Sequence, residues 1–129
     1  VKFVYRDYPM YSAGIETKCA EGAVCAEEQC KFWEFHDKTF ESQQYLRSLQ
    51  PVKLAEELGL DTNAFQSCLD AGHAQKQVAA SVAEGEWLGI SGTPTFYENG
   101  VKMLSAGGVE RSLQLAIEQA QLLLQQGQK

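Results

Sequence analysis

The fold is decided by the stretch Ile90-Ser91-Gly92-Thr93-Pro94-Thr95-Phe96-Tyr97-Glu98-Asn99-Gly100. Proline lacks a backbone N–H, so we expect Pro94 at the first residue of a strand or at a sheet edge. Asn99-Gly100 lies between alternating residues and favours a type I′ hairpin turn, which needs positive φ at both central positions. The Thr93-Pro94 bond has two interpretations. It is either a rigid cis corner that leaves neighbouring backbone groups open to a partner, or an ordinary trans bond. From the dipeptide alone, the trans form is favoured by about ten to one or more.

Composition narrows the class of protein. The chain has 129 residues, of which 44% are apolar, so one domain with a sizeable core is expected. The formal charge of -6 argues against a nucleic-acid or anionic-membrane surface. No apolar run is long enough to cross a bilayer. Residues 1–5 predict a strand rather than a signal peptide, and the missing initiator methionine suggests a mature or truncated product.

The remaining elements follow from periodicity and capping residues. Residues 1–9 alternate up to Pro9 and predict a strand, and 16–88 predict a block of helices. Within that block, Ser48 is the expected cap before Pro51, and Asp61 or Thr62 caps the next helix. Residues 93–126 predict a β-hairpin, with strands 93–98 and 101–105, and a C-terminal helix. This order indicates an α/β domain with a helical insertion.

Four cysteines leave several chemistries open. They are Cys19, Cys25, Cys30 and Cys68, and no two of them form a Cys-X-X-Cys motif. On one straight helix Cys19 and Cys30 would lie on the same side but roughly 16 Å apart, beyond disulfide reach. No Cys/His spacing typical of zinc appears, so no metal site is predicted. Cys30 precedes Lys31 and could start the next helix, which makes it the best candidate for a reactive thiol.

The ordered motifs resemble the DsbA-like branch of the thioredoxin-fold thiol–disulfide oxidoreductases. The resemblance covers nearly the whole chain and rests on the following segments: Val1-Lys2-Phe3-Val4-Tyr5-Arg6-Asp7-Tyr8-Pro9, Cys25-Ala26-Glu27-Glu28-Gln29, Lys31-Phe32-Trp33-Glu34-Phe35-His36-Asp37, Ala55-Glu56-Glu57-Leu58-Gly59-Leu60-Asp61, Phe65, Cys68-Leu69-Asp70-Ala71-Gly72 and Gly89-Ile90-Ser91-Gly92-Thr93-Pro94-Thr95-Phe96. A weaker resemblance, to kappa-class glutathione transferases, fits Thr93–Phe96 and Cys68–Asp70 less well.

The resemblance implies a thioredoxin-like sheet with a helical insertion and a substrate site at Thr93 and Pro94. Pro94 would be the family's cis-proline beside the redox cysteines, and Thr93 would pair its backbone with an extended peptide. Cys25 and Cys68 occupy positions where the family carries cysteine, as a structural disulfide or as two buried thiols. Glycine is usual at the Cys30 position, so cysteine there is strained if φ is positive.

The chain departs from the family in lacking the redox Cys-X-X-Cys. In the family this motif follows a central strand that precedes the strand resembling residues 1–9, so the N-terminal βα part is expected to lie upstream. We therefore expect an oxidoreductase domain that is inactive as given, without a cofactor, whose partner is a protein or peptide thiol. The alternative is a non-enzymatic binding or scaffold domain that dimerises through its exposed sheet. The family suggests a location outside the cytoplasm.

Overall fold

A computed structural model describes residues 1–104 and 108–127, and helices predominate in it. The helices are α1 (Ile15–Glu27), α2 (Phe32–Glu41), α3 (Leu46–Leu49), α4 (Pro51–Glu57), α5 (Thr62–Ala71), α6 (His73–Trp87) and α7 (Val109–Gly127), with a 3₁₀ turn at Gln43–Tyr45. The strands are β1 (Tyr97–Glu98) and β2 (Val101–Lys102). The predicted helical block and the hairpin followed by a helix are both present.

The chain divides into two units, although the sequence predicted one domain over residues 1–129. The helical unit comprises Tyr5–Gly89, and the sheet unit comprises Val1–Val4 with Ile90–Lys129. The helical unit is therefore an uninterrupted segment inserted between the two pieces of the sheet unit.

Helix α1 is the central element of the helical unit because its residues are small. It packs against α2, α4, α5 and α6, and it buries Ala20, Gly22, Ala23 and Ala26. A Cβ atom at Gly22 would lie 2.8 Å from Phe35 Cζ, so glycine permits this close approach of α1 and α2. The largest fully buried side chains around α1 include those of Phe35, Leu54 and Phe65.

Two helix starts show how local signals compete. Asp61 caps α5 as predicted, because its Oδ1 accepts a hydrogen bond from the Ala64 N–H at 3.0 Å. Ser48 does not cap α4. It lies within α3, and its hydroxyl donates to the Tyr45 carbonyl at 2.8 Å. Gln50 takes the cap position with φ 34°, and Pro51 follows at the first helical residue, where its missing N–H costs nothing.

The sheet unit contains an antiparallel hairpin in which Tyr97 pairs with Lys102 and Glu98 with Val101. Asn99 and Gly100 both have positive φ, at 48° and 82°, which is the geometry that the Asn-Gly dipeptide predicts. The strands are shorter than the predicted 93–98 and 101–105, and Ser105 lies outside the described residues.

The structure assigns no strand to residues 1–9, where the sequence predicted one. An alternating apolar segment becomes a strand only when its N–H and C=O groups pair with a neighbour. Among the described residues, the sheet consists of β1 and β2 alone. Residues 1–9 therefore have a strand-like sequence, but the described part of the chain assigns no strand to them.

Candidate functional site

Cys30 ends helix α1 in a Schellman motif rather than starting α2. The Lys31 N–H donates to the Ala26 carbonyl at 2.9 Å, and the Cys30 N–H donates to the Glu27 carbonyl at 2.9 Å. Cys30 has φ 60°, the left-handed conformation that the family's glycine would adopt without strain. Its thiol is free and the residue is exposed. The expectation that Cys30 starts the helix at Phe32 is thus corrected, because Lys31 is the residue that precedes α2.

Cys25 and Cys68 are joined by a disulfide that links α1 to α5, with 5.7 Å between their Cα atoms. Cys25 is 1% exposed and Cys68 is 5% exposed. The fourth cysteine, Cys19, is buried and free. Burial, together with the negative charge of Glu16, raises the pKa of the Cys19 thiol to about 11, so this thiol stays protonated at neutral pH.

Two polar side chains lie beside the disulfide on its solvent side. The His73 Nε2 atom is 3.5 Å from Cys68 Sγ, and it also contacts the Glu28 carboxylate. The side chains of His73 and Glu28 are 49% and 50% exposed. The ligand atoms of Glu28, Cys68 and His73 all lie within 4.8 Å of one another.

Glu28 and His73 are 45 residues apart in the sequence, and no prediction grouped them. A signal was nevertheless present. Glu28 lies one helical turn after Cys25, and His73 follows Cys68 across the break at Gly72. Once Cys25 and Cys68 are paired, both polar residues must therefore flank the bridge.

A second side-chain cluster lies on α2 and the segment before α1. The rings of Tyr5, Trp33 and Phe40 surround His36, with centroid distances of 4.7, 5.3 and 4.7 Å respectively. The carboxyl of Asp7 is electrostatically coupled to His36. Burial raises the pKa of Asp7 to about 6, although the His36 charge opposes this and Glu27 adds to it.

Thr93 and Pro94 belong to the sheet unit. The bond between them is cis, and both residues are exposed. The Thr95 hydroxyl donates to the Gly92 carbonyl at 2.6 Å and holds the turn that leads into β1. Pro94 lines a shallow cavity with Phe96, Met103 and Val109. None of the described helices is long and apolar enough to span a membrane.

Similarity to known proteins agrees with this architecture. A family model described as thioredoxin matches residues 1–119. The structure resembles a thioredoxin-like oxidoreductase from Silicibacter pomeroyi DSS-3, with a TM-score of 0.67 and 28% identity, covering 92% of this chain and 67% of that one.

Curated relatives are named as Na(+)/H(+) antiporters of the NhaA type. The protein from Salinispora tropica is 35% identical over 101 residues, and that from Salinispora arenicola is 33% identical over 101 residues. In each case the match covers 78% of this chain and 16% of the antiporter, so the chain spans about a sixth of these relatives. From the family match and the structural likeness, this chain belongs to the thioredoxin family and has the thioredoxin-like fold of its oxidoreductases.

Proposed function

We propose that the chain supplies the helical and peptide-binding parts of a DsbA-like thiol–disulfide oxidoreductase. The observation that carries this proposal is the division of the chain, in which the helical unit Tyr5–Gly89 interrupts a sheet unit of the thioredoxin family. The DsbA-like branch differs from plain thioredoxin by such a helical insertion. The substrate class would be protein or peptide thiols.

The peptide-binding role is proposed for Thr93 and Pro94. Both residues are exposed, and they lead into β1, whose sheet holds two strands among the described residues. Extended backbone beside a sheet edge can pair with an incoming peptide through main-chain hydrogen bonds, which need no particular peptide sequence. The cavity beside Pro94, which Phe96 and Met103 also line, would take one apolar side chain of that peptide.

Catalysis by these residues alone is not expected. Oxidation of a dithiol substrate transfers two electrons to a disulfide, and the family performs this step with Cys-X-X-Cys, which this sequence lacks. Cys25 and Cys68 are almost fully buried in their disulfide, and Cys19 is a buried thiol. The exposed Cys30 can form a mixed disulfide, but we propose no turnover from it.

Two measurements test this function. Insulin reduction by a dithiol should proceed at the uncatalysed rate in the presence of the chain; catalysis that Cys30→Ser abolishes would contradict the proposal. A cysteine-free extended peptide should shift the NMR signals of residues 91–96. The affinity for this peptide should fall in the Pro94→Ala variant. Peptide binding that leaves those signals unmoved would place the substrate site elsewhere.

The alternative is a binding or scaffold domain that self-associates through its sheet. It is favoured by exposed apolar residues at the hairpin: Val101 in β2 is 69% exposed, and Leu104, shortly after β2, is 85% exposed. Exposed strand edges promote pairing with another chain. Sedimentation equilibrium should then show a dimer that Val101→Lys dissociates, whereas a monomer at all concentrations would exclude this alternative. Ion transport by the antiporter relatives is not part of either proposal.

A further inference from the structure

We propose that reduction of the Cys25–Cys68 disulfide opens a zinc site formed by Cys68, His73 and Glu28. These three residues supply one sulfur, one nitrogen and one oxygen ligand, all within 4.8 Å of one another. Zinc is the divalent metal that this mixed set suits best, because Mg²⁺ and Ca²⁺ prefer oxygen ligands alone. The site needs no change in the path of the backbone.

The spacing of the ligand atoms fits tetrahedral coordination. Zn–S and Zn–N bonds of about 2.3 and 2.05 Å at the tetrahedral angle place sulfur and nitrogen about 3.6 Å apart. The observed distance between Cys68 Sγ and His73 Nε2 is 3.5 Å. The Glu28 carboxylate contacts the same nitrogen, and it is half exposed, so it can swing back to admit an ion. Solvent would supply the fourth ligand.

The disulfide closes this site chemically. In the oxidised protein, Cys68 Sγ is bonded to Cys25 Sγ and carries no charge, so it is a poor metal ligand. A dithiol reductant transfers two electrons to the bridge and becomes a disulfide itself, and Cys25 and Cys68 each gain a proton. On binding zinc, the Cys68 thiol releases its proton and coordinates as the thiolate. Cys25, which is 1% exposed, remains buried.

A second connection holds the ligands in place when the bridge is cut. The Gln29 side chain donates to the Asp61 carbonyl at 3.0 Å, and the Asp61 N–H donates to Gln29 Oε1 at 2.9 Å. This reciprocal pair ties the end of α1 to the start of α5 without the disulfide. Glu28, the neighbour of Gln29, therefore stays near α5 and the His73 that follows it.

The test uses Co²⁺ as a spectroscopic substitute for zinc, in a Cys30→Gly background that removes the exposed thiol. After reduction by a phosphine and desalting without oxygen, the protein should bind one equivalent of Co²⁺. Thiolate-to-cobalt charge-transfer absorption should appear and should be lost when Zn²⁺ is added. The oxidised protein should show no such band. Cys25→Ser frees Cys68 permanently, so this variant should bind Co²⁺ without any reductant.

Matched variants separate a built site from a lone thiol. His73→Gln and Glu28→Gln should each weaken binding by at least about tenfold. His36→Gln and Glu27→Gln, which change the same residue types outside the cluster, should leave the affinity unchanged. Equal affinity in His73→Gln and the parent would overturn the proposal, as would a charge-transfer band in the oxidised protein.

A redox titration covers the case in which the reduced protein is too unstable for spectroscopy. Zinc that binds only the reduced form must shift the dithiol–disulfide equilibrium towards reduction, by about 30 mV for each tenfold excess of free zinc over its dissociation constant. The shift should occur in the parent and disappear in His73→Gln. A midpoint that does not respond to zinc, or that responds equally in both proteins, would refute the site.

Discussion

Replacing Cys30 by glycine should stabilise this protein, although it removes a side chain. Cys30 is the residue after the last turn of α1, and it holds φ at 60° to complete the Schellman hydrogen bonds of Lys31 and Cys30 itself. Gly59 occupies the corresponding left-handed position of the Schellman motif after α4. Its φ is 73°, and the Leu60 N–H donates to the Ala55 carbonyl at 3.0 Å.

The magnitude follows from two opposing effects. The left-handed conformation costs a residue with a Cβ about 1–2 kcal/mol, and glycine avoids this cost. Glycine also increases the conformational entropy of the unfolded chain, which lowers the free energy of unfolding by about 0.4–1 kcal/mol. Cys30→Gly should therefore raise the free energy of unfolding by about 0.5–1 kcal/mol. Gly59→Cys should lower it by a similar amount, since a Cβ there meets no atom within 4 Å.

Urea denaturation of the two variants, followed by far-ultraviolet circular dichroism without reductant, measures both changes. An unchanged m-value would show that the unfolded state stays comparable. If Cys30→Gly lowers the free energy of unfolding, or if Gly59→Cys has no effect, the strain assigned to the left-handed conformation is wrong. Cys30→Ser is the control, because it removes the thiol but keeps the Cβ and should change the stability little.

Three further outcomes are expected. Cys25→Ala/Cys68→Ala should lower the free energy of unfolding by about 4 kcal/mol, from the closure of a loop with a sequence separation of 43; urea curves that dithiothreitol leaves unchanged in the parent would refute this. Asp61→Ala should cost about 1 kcal/mol by removing the cap of α5, whereas Asp61→Asn should cost less, and thermal melts distinguish them. The pKa of Asp7 is raised to about 6, so the folded state binds its proton more tightly than the unfolded state. Stability should fall as the pH rises from about 4 through about 6, and Asp7→Asn should remove this fall and gain roughly 1–2 kcal/mol at pH 8; urea midpoints that depend on pH equally in both proteins would contradict it.

Helix ends were predicted correctly where the start or stop signal lies beside them in the chain. Asp61 and Gly59 act through local hydrogen bonds and local φ preferences, so their neighbours along the chain suffice. The hairpin at Asn99-Gly100 was predictable for the same reason. The structure of residues 1–9 could not be predicted in this way, because a strand forms only by pairing with a neighbour that the segment's own sequence does not specify.

For the candidate site, too, local sequence motifs lead to predictions, whereas contacts between distant segments do not. The substrate site at Thr93 and Pro94 stays a prediction, which rests on a contiguous motif and its resemblance to a family. Glu28 and His73 were missed because their proximity depends on how α1 and α5 pack, and a periodicity argument treats each helix separately. The straight-helix geometry of Cys19 and Cys30 does not apply, because the chain turns at Cys30 with a positive φ. The glycine that the family usually carries at this position already indicated such a turn.

The end of α1 explains why these features occur together. Cys25 lies in its last turn, and Glu28 follows as the capping residue. Gln29 is hydrogen-bonded to Asp61, and the chain reverses at Cys30. A helix end leaves carbonyl groups without helical partners, so it must be tied down by a cap and by neighbouring elements. Here the cap, the amide pair and the disulfide all act within six residues. Cutting the disulfide therefore removes one of three restraints, and the remaining two hold Glu28 in place. For that reason, the proposed metal site should survive reduction in Cys30→Gly, where the cap is strengthened, better than in Gln29→Ala, where the amide pair is lost.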